Sequence, residues 1–115
     1  LVRTGVQEGM PPETDGVLGQ FGLHQNYPNP FNPTTMIRYD LPDAATVRLS
    51  IYNVLGQEVK TLVDGFMEAG YHEVEWNSKT NAGQSLPSGV YIYQIQAKSL
   101  KSGEYHQTKK LVMSK

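Results

Sequence analysis

Apolar and polar residues alternate with a period of two in one short segment of this chain after another, and no helical period of 3.6 is sustained. In the first such segment Ile37, Tyr39 and Leu41 share one face while Met36, Arg38 and Asp40 share the other. Val47, Leu49 and Ile51 then alternate with Arg48, Ser50 and Tyr52, and His72, Val74 and Trp76 alternate with Glu73 and Glu75. Val90 to Ile95 is largely apolar on both faces, the pattern of a strand with neighbours on each side. A last segment runs from Tyr105 to Met113. A period of two sends successive side chains to opposite faces of a sheet, so several strands here each have one face to bury.

Turn residues punctuate these segments. Pro42-Asp43 separates the first two, and Asn53-Val54-Leu55-Gly56 reads as a hairpin connection in which Gly56 is free to take a positive φ. The return strand is expected over Gln57 to Val63. Asp64-Gly65 and Ala69-Gly70 are further turn signals, bracketing a stretch with room for one helical turn. Asn77 to Gln84 is a polar loop, and Ser88-Gly89 and Ser102-Gly103 flank the most apolar strand. About seven antiparallel strands at roughly 8–12-residue spacing predict an all-β, immunoglobulin-like β-sandwich. Asn26-Tyr27-Pro28-Asn29-Pro30-Phe31-Asn32-Pro33 cannot be helical, since each proline removes a donor and biases its predecessor toward extended geometry; it reads as an edge strand or a cover strip. Residues 1–20, rich in glycine and lacking either period, read as a linker, which leaves residues 21–115 as the domain. A chain of 115 residues, 38% hydrophobic, has material for one core.

Several function classes lose their residues at this stage. There is no cysteine, hence no disulfide, thiolate metal site or thiol nucleophile. A formal net charge of −1 gives no bulk attraction to nucleic acid. His24, His72 and His106 each lack a second ligand at metal-binding spacing, so no metal site is predicted, and His72 reads as a half-buried histidine. Ser88 is followed by Gly89 but preceded two positions earlier by Leu86, so the strained G-x-S-x-G elbow is absent. Phosphate-binding loops and calcium loops are missing too, and Lys79 disfavours a cation in the 77–84 loop. Glu73 and Glu75 lie on the polar face of one strand rather than across a cleft. No catalytic residue and no cofactor is therefore expected, and the chain reads as a non-enzyme. Trp76, in register with Val74, is expected as a core plug; an exposed Trp76 would instead favour a sugar-stacking platform. No window is long and apolar enough for a membrane span, and no signal peptide is apparent. A start at Leu1 suggests the tail of a longer exported protein.

Charge is unevenly placed. Lys98, Lys101, Lys109, Lys110 and Lys115 fall in the last eighteen positions against Glu104 alone, so this end is locally +4 and residues 1–97 carry −5. Lysines on a terminal strand protect an edge from aggregation, or offer a basic strand to a receptor.

The ordered set Asn26 to Thr35, Ile37 with Tyr39, Leu41-Pro42, Ile51 to Val59, Ala69 to His72 with Val74 and Trp76, Leu86 to Tyr91, and Lys109 to Val112 ending at Lys115 resembles the C-terminal sorting domain of type IX secretion cargo. The pattern is also similar to the immunoglobulin-like domain of flagellar hook-capping proteins. The first resemblance implies a domain that follows an N-terminal passenger, docks on the outer-membrane translocon and meets a surface sortase, so that the protein is secreted or held at the surface of a Gram-negative bacterium by way of the periplasm. It further implies that a receptor reads Gly89, Val90 and Tyr91 together with Lys109, Lys110, Leu111, Val112, Met113 and Lys115. The alternative is an accessory immunoglobulin-like spacer or carbohydrate-binding module of a secreted multidomain enzyme.

Overall fold

The computed structural model describes residues 19–115, so the linker expected over residues 1–20 lies outside the described residues except for Gly19 and Gln20. The strands are β1 (Gly22–Leu23), β2 (Thr35–Leu41), β3 (Ala45–Tyr52), β4 (Glu58–Met67), β5 (Gly70–Trp76), β6 (Gly89–Ser99) and β7 (Gly103–Met113). They form two antiparallel sheets, a three-stranded one in the order β1-β2-β5 and a four-stranded one in the order β4-β3-β6-β7. This is the immunoglobulin-like sandwich that the alternating pattern predicts.

The inward faces of β2, β3 and β5 include the residues that the period of two assigns, and β6 and β7 add their own inward sets. Ile37, Tyr39 and Leu41 of β2 and Trp76 of β5 meet Val47, Leu49 and Ile51 of β3, Tyr93, Ile95 and Ala97 of β6, and Leu111 and Met113 of β7, all of them buried. Burying each large apolar side chain contributes about 1.5–3 kcal/mol, which is why both sheets close on one core. β6 is flanked by β3 and β7, the central place its two apolar faces predict. His72 is half-buried, as expected, with its ring stacked on Tyr39 at 5.0 Å.

One local reading is corrected and a second is narrowed. Asp64-Gly65 is not a turn: β4 runs through it to Met67, with Asp64 opposite Arg48 and Gly65 opposite Val47, and residues 64–70 hold no helical turn. The physical reason is that β3 needs a partner along its whole length, so β4 continues opposite it through Asp64 and Gly65. The extra length is absorbed by register shifts between Leu49 and Ser50 and between Ile51 and Tyr52. Second, of the two forms expected for the proline-rich strip, edge strand or cover strip, it takes the cover strip. β1 precedes it, and the strip makes only isolated bridges, Tyr27 to Met36 and Phe31 to Met113. The peptide bonds before Pro28, Pro30 and Pro33 are cis.

The strand registers give the sandwich two poles. The start of the described chain lies at one, because Gly22 pairs with Asp40 near the β2–β3 turn. The β3–β4 hairpin, the start of β6 and the end of β7 lie at the other, because Tyr52 pairs with Ile92 and Gly89 with Met113.

Candidate recognition site at the end of the terminal strand

The residues singled out in sequence come from two segments some twenty positions apart, and β6 and β7 bring them face to face. Gly89 pairs with Met113, Val90 with Val112, Tyr91 with Leu111, and Lys110 and Lys109 pair with Ile92 and Tyr93. Gly89 sits at φ +154, a backbone conformation that side chains disfavour, with open space where a Cβ would stand. A substitution there is opposed by the backbone rather than by crowding.

Alternation divides these residues by role. Tyr91, Leu111 and Met113 point inward and are buried, so they fix the strand ends and present no side chain to a partner. Tyr91 donates its hydroxyl to the Pro87 carbonyl at 2.7 Å, and burial pushes its pKa up. Its ring meets Trp76 edge-on at 5.7 Å, and Phe31 packs on the same tryptophan at 5.8 Å. Trp76 is fully buried and donates Nε1–H to the Lys79 carbonyl at 3.0 Å, so it offers no platform to a sugar. Val90, Lys110 and Lys115 are exposed, while Lys109 and Val112 are half-buried. Among the described residues no carboxylate lies within ion-pair distance of Lys109, Lys110 or Lys115, whereas Lys98 faces Glu104 and Lys101 faces Asp43.

What sequence reading missed is the clamp on the other side of β7. Residues 21–31 run alongside the strand: Phe21 stacks on Tyr105 at 5.0 Å, Gln25 donates to the Lys110 carbonyl at 2.8 Å, and Asn29 Oδ1 accepts from Val112 N–H at 3.0 Å. Phe31 N–H then donates to the Val112 carbonyl, and Ser114 N–H donates to the Phe31 carbonyl. Lys115 N–H donates to Ser88 Oγ at 3.0 Å. The strip is itself held by polar groups at the sandwich edge. Buried Asn26 donates its backbone N–H to Tyr93 Oη at 2.9 Å, and its side chain donates to Thr35 Oγ1 and the Pro28 carbonyl. Tyr93 donates to the His24 carbonyl at 2.7 Å, and its burial pushes the phenol pKa up to about 12. The one available signal was asparagine beside proline at 26–30, side chains suited to local backbone capping.

Among the described residues no group of three or more His, Asp or Glu side chains converges as a metal site would require. Among the described residues no helix is long and apolar enough to cross a membrane. The arrangement presents Lys110 and Lys115 outward beside Val90.

The model of the FlgD Ig-like domain matches residues 31–103. This chain belongs to that family. The match takes in β2 to β6 and stops where β7 begins. Among solved structures, FlgD from P. aeruginosa is similar with 24% identity and a TM-score of 0.56, over 69% of this chain and 61% of that one. Dimeric latent PorU from Porphyromonas gingivalis is similar with 19% identity and a TM-score of 0.65, over 87% of this chain and 10% of that one. PorZ of the same organism, a bacterial surface component of the type-IX secretion system, gives 20% identity and a TM-score of 0.51 over 82% and 12%. The chain thus spans less than two thirds of each of these proteins, and at such identities the likeness is one of fold. No curated protein matches this chain.

Proposed function

We propose that residues 21–115 form a non-catalytic C-terminal sorting and anchoring domain that directs an N-terminal passenger through the type IX secretion system to the cell surface or medium. The observation that carries this reading is the pairing of Gly89, Val90 and Tyr91 with Met113, Val112 and Leu111, which sets the two expected recognition segments side by side. The described chain begins at the opposite pole. Support also comes from the similar fold in PorU and PorZ. In this reading the partners are the outer-membrane translocon and a surface sortase, and the domain acts as a folded handle without chemistry of its own.

The test is export. Residues 1–115 are placed behind a Sec signal and a fluorescent protein in a bacterium with type IX secretion, beside a version lacking residues 110–115. Surface or medium fluorescence with the intact chain, and periplasmic retention of the truncated one, is the expected result. Equal behaviour of the two sinks the proposal.

A further inference from the structure

Beside the basic end of β7 the same pole carries a feature that the strand pairing does not use. The tip of the β3–β4 hairpin exposes two aliphatic side chains, Val54 at 68% and Leu55 at 79%. The loop beneath them is fixed. Asn53 Oδ1 accepts from Leu55 N–H at 2.9 Å and from Gln57 N–H at 3.0 Å, while Asn53 Nδ2 donates to Gln57 Oε1 at 2.8 Å. Asn53 N–H donates to the Gln57 carbonyl, and Gly56, at φ +83, donates back to the Asn53 carbonyl. An apolar pair on a preorganised turn loses little conformational freedom on binding, which is the condition under which a few exposed side chains carry most of an interface.

The neighbouring face continues the surface. Tyr52, where β3 enters the hairpin, pairs with Ile92, Ile92 pairs with Lys110, and Val90 pairs with Val112. These side chains share the outer face of the four-stranded sheet, Val90 exposed and Tyr52, Ile92 and Val112 half-buried. Two strand spacings, roughly 10 Å, separate the hairpin side from Lys110.

The opposite pole provides a control. Phe66 and Leu100 are also exposed there, but the lysines beside them, Lys98 and Lys101, already face Glu104 and Asp43. Lys110 and Lys115 have no such partner among the described residues. Glu58, at the base of the hairpin, is engaged by Arg48 at 2.8 Å, and Lys110 with Lys115 falls short of the cluster of about four to eight basic residues suited to an anionic lipid surface.

We infer that Val54 and Leu55 are the apolar half of the recognition surface, seating in an apolar recess of a protein partner whose rim carries carboxylates for Lys110 and Lys115. The inference rests on the sorting reading above and adds to it the anchor residues and the chemistry of the partner. The experiment uses the same export fusion of residues 1–115 with Val54→Ser and Leu55→Ser together, and a second variant, Val54→Thr, which keeps the side chain's shape. Export is expected to fall about 10-fold or more for the double variant and several-fold for Val54→Thr. Val54→Ile with Leu55→Met, and Phe66→Ser with Leu100→Ser, export like the parent, and melting temperatures of the purified chains stay unchanged at these exposed positions. Export of both tip variants at the parent's level overturns the inference and leaves the sorting reading standing. Failure of the parent itself removes the sorting reading, and the inference with it. Co-sedimentation of the purified chain with phosphatidylglycerol vesicles, if abolished by the double tip variant, overturns the protein partner in favour of a lipid surface.

Discussion

The two outer edges of the four-stranded sheet are secured in different ways. β7 is covered by residues 21–31, whose polar groups and rings are anchored through buried Asn26, Tyr93 and Phe31. β4 meets the 77–84 loop at one place, where Asn81 donates to the Val59 carbonyl and accepts from Thr61 N–H. Its outer face is tied to β3 by partly exposed charges, with Arg48 bridging Glu58 and Asp64. The difference teaches where the strength lies. A hydrogen bond that satisfies a buried group is expensive to break, whereas an ion pair in water is worth little.

Removing the ring that wedges the strip against the core tests the first edge hardest. Phe31→Ala should cost about 3–5 kcal/mol, lowering the melting temperature by well over 10 °C, because it deletes a fully buried ring against Trp76. A loss below about 1 kcal/mol in chemical denaturation would mean the strip is not part of the core. Tyr93→Phe comes next, at about 1–3 kcal/mol, since it strands the buried Asn26 N–H and the His24 carbonyl.

The same tyrosine sharpens the comparison through pH. Its folded pKa of about 12 lies above the ordinary phenol value of 10.0, so the unfolded chain ionises first. The stabilisation is complete below pH 10, falls as pH rises toward 12, and that part of the fall should vanish in Tyr93→Phe.

On the β4 edge the effects are smaller and run the other way in pH. The Thr61 hydroxyl, with Arg48 and Ser50, holds the Glu58 carboxyl below its ordinary value of 4.5. Its contribution is therefore present above that value and is lost as pH falls through the lowered one. Glu58→Gln should cost no more than about 1 kcal/mol at neutral pH, still less in 1 M salt. A larger, salt-insensitive loss in calorimetry would put this edge on the same footing as the other.

Much of the fold was legible because alternation reports burial directly. The inward sets of β2 and β3, Trp76 as a core plug, and the central place of β6 follow from the pattern of apolar residues. Asp64-Gly65 misled because turn propensity is local, while the pairing that overrides it is with β3 residues Arg48 and Val47, sixteen and eighteen positions away. The clamp was hidden for a similar reason. Gln25 and Lys110 are separated by 85 positions, and no side-chain pattern announces that a proline-rich strip will satisfy the edge of a strand so distant. The candidate site was legible as two segments, and its division into buried and outward residues emerged only once β6 and β7 were paired. Val54 and Leu55 read as an ordinary turn, since exposure cannot be told from residue type alone.

The path of the strip beside β7 also has a mechanical consequence. The described chain enters at one pole and β7 ends at the other, and the bonds between antiparallel strands lie across the strand axis. Tension between the two ends is therefore directed along β7 and loads its pairing with β6, from Gly89–Met113 to Ser99–Gly103, in shear rather than one rung at a time. A handle built in this way resists being drawn out by its own terminus. Stretched in a single-molecule instrument from residues 19 and 115, it should yield at higher force than when pulled across the sheet from β4 and β7.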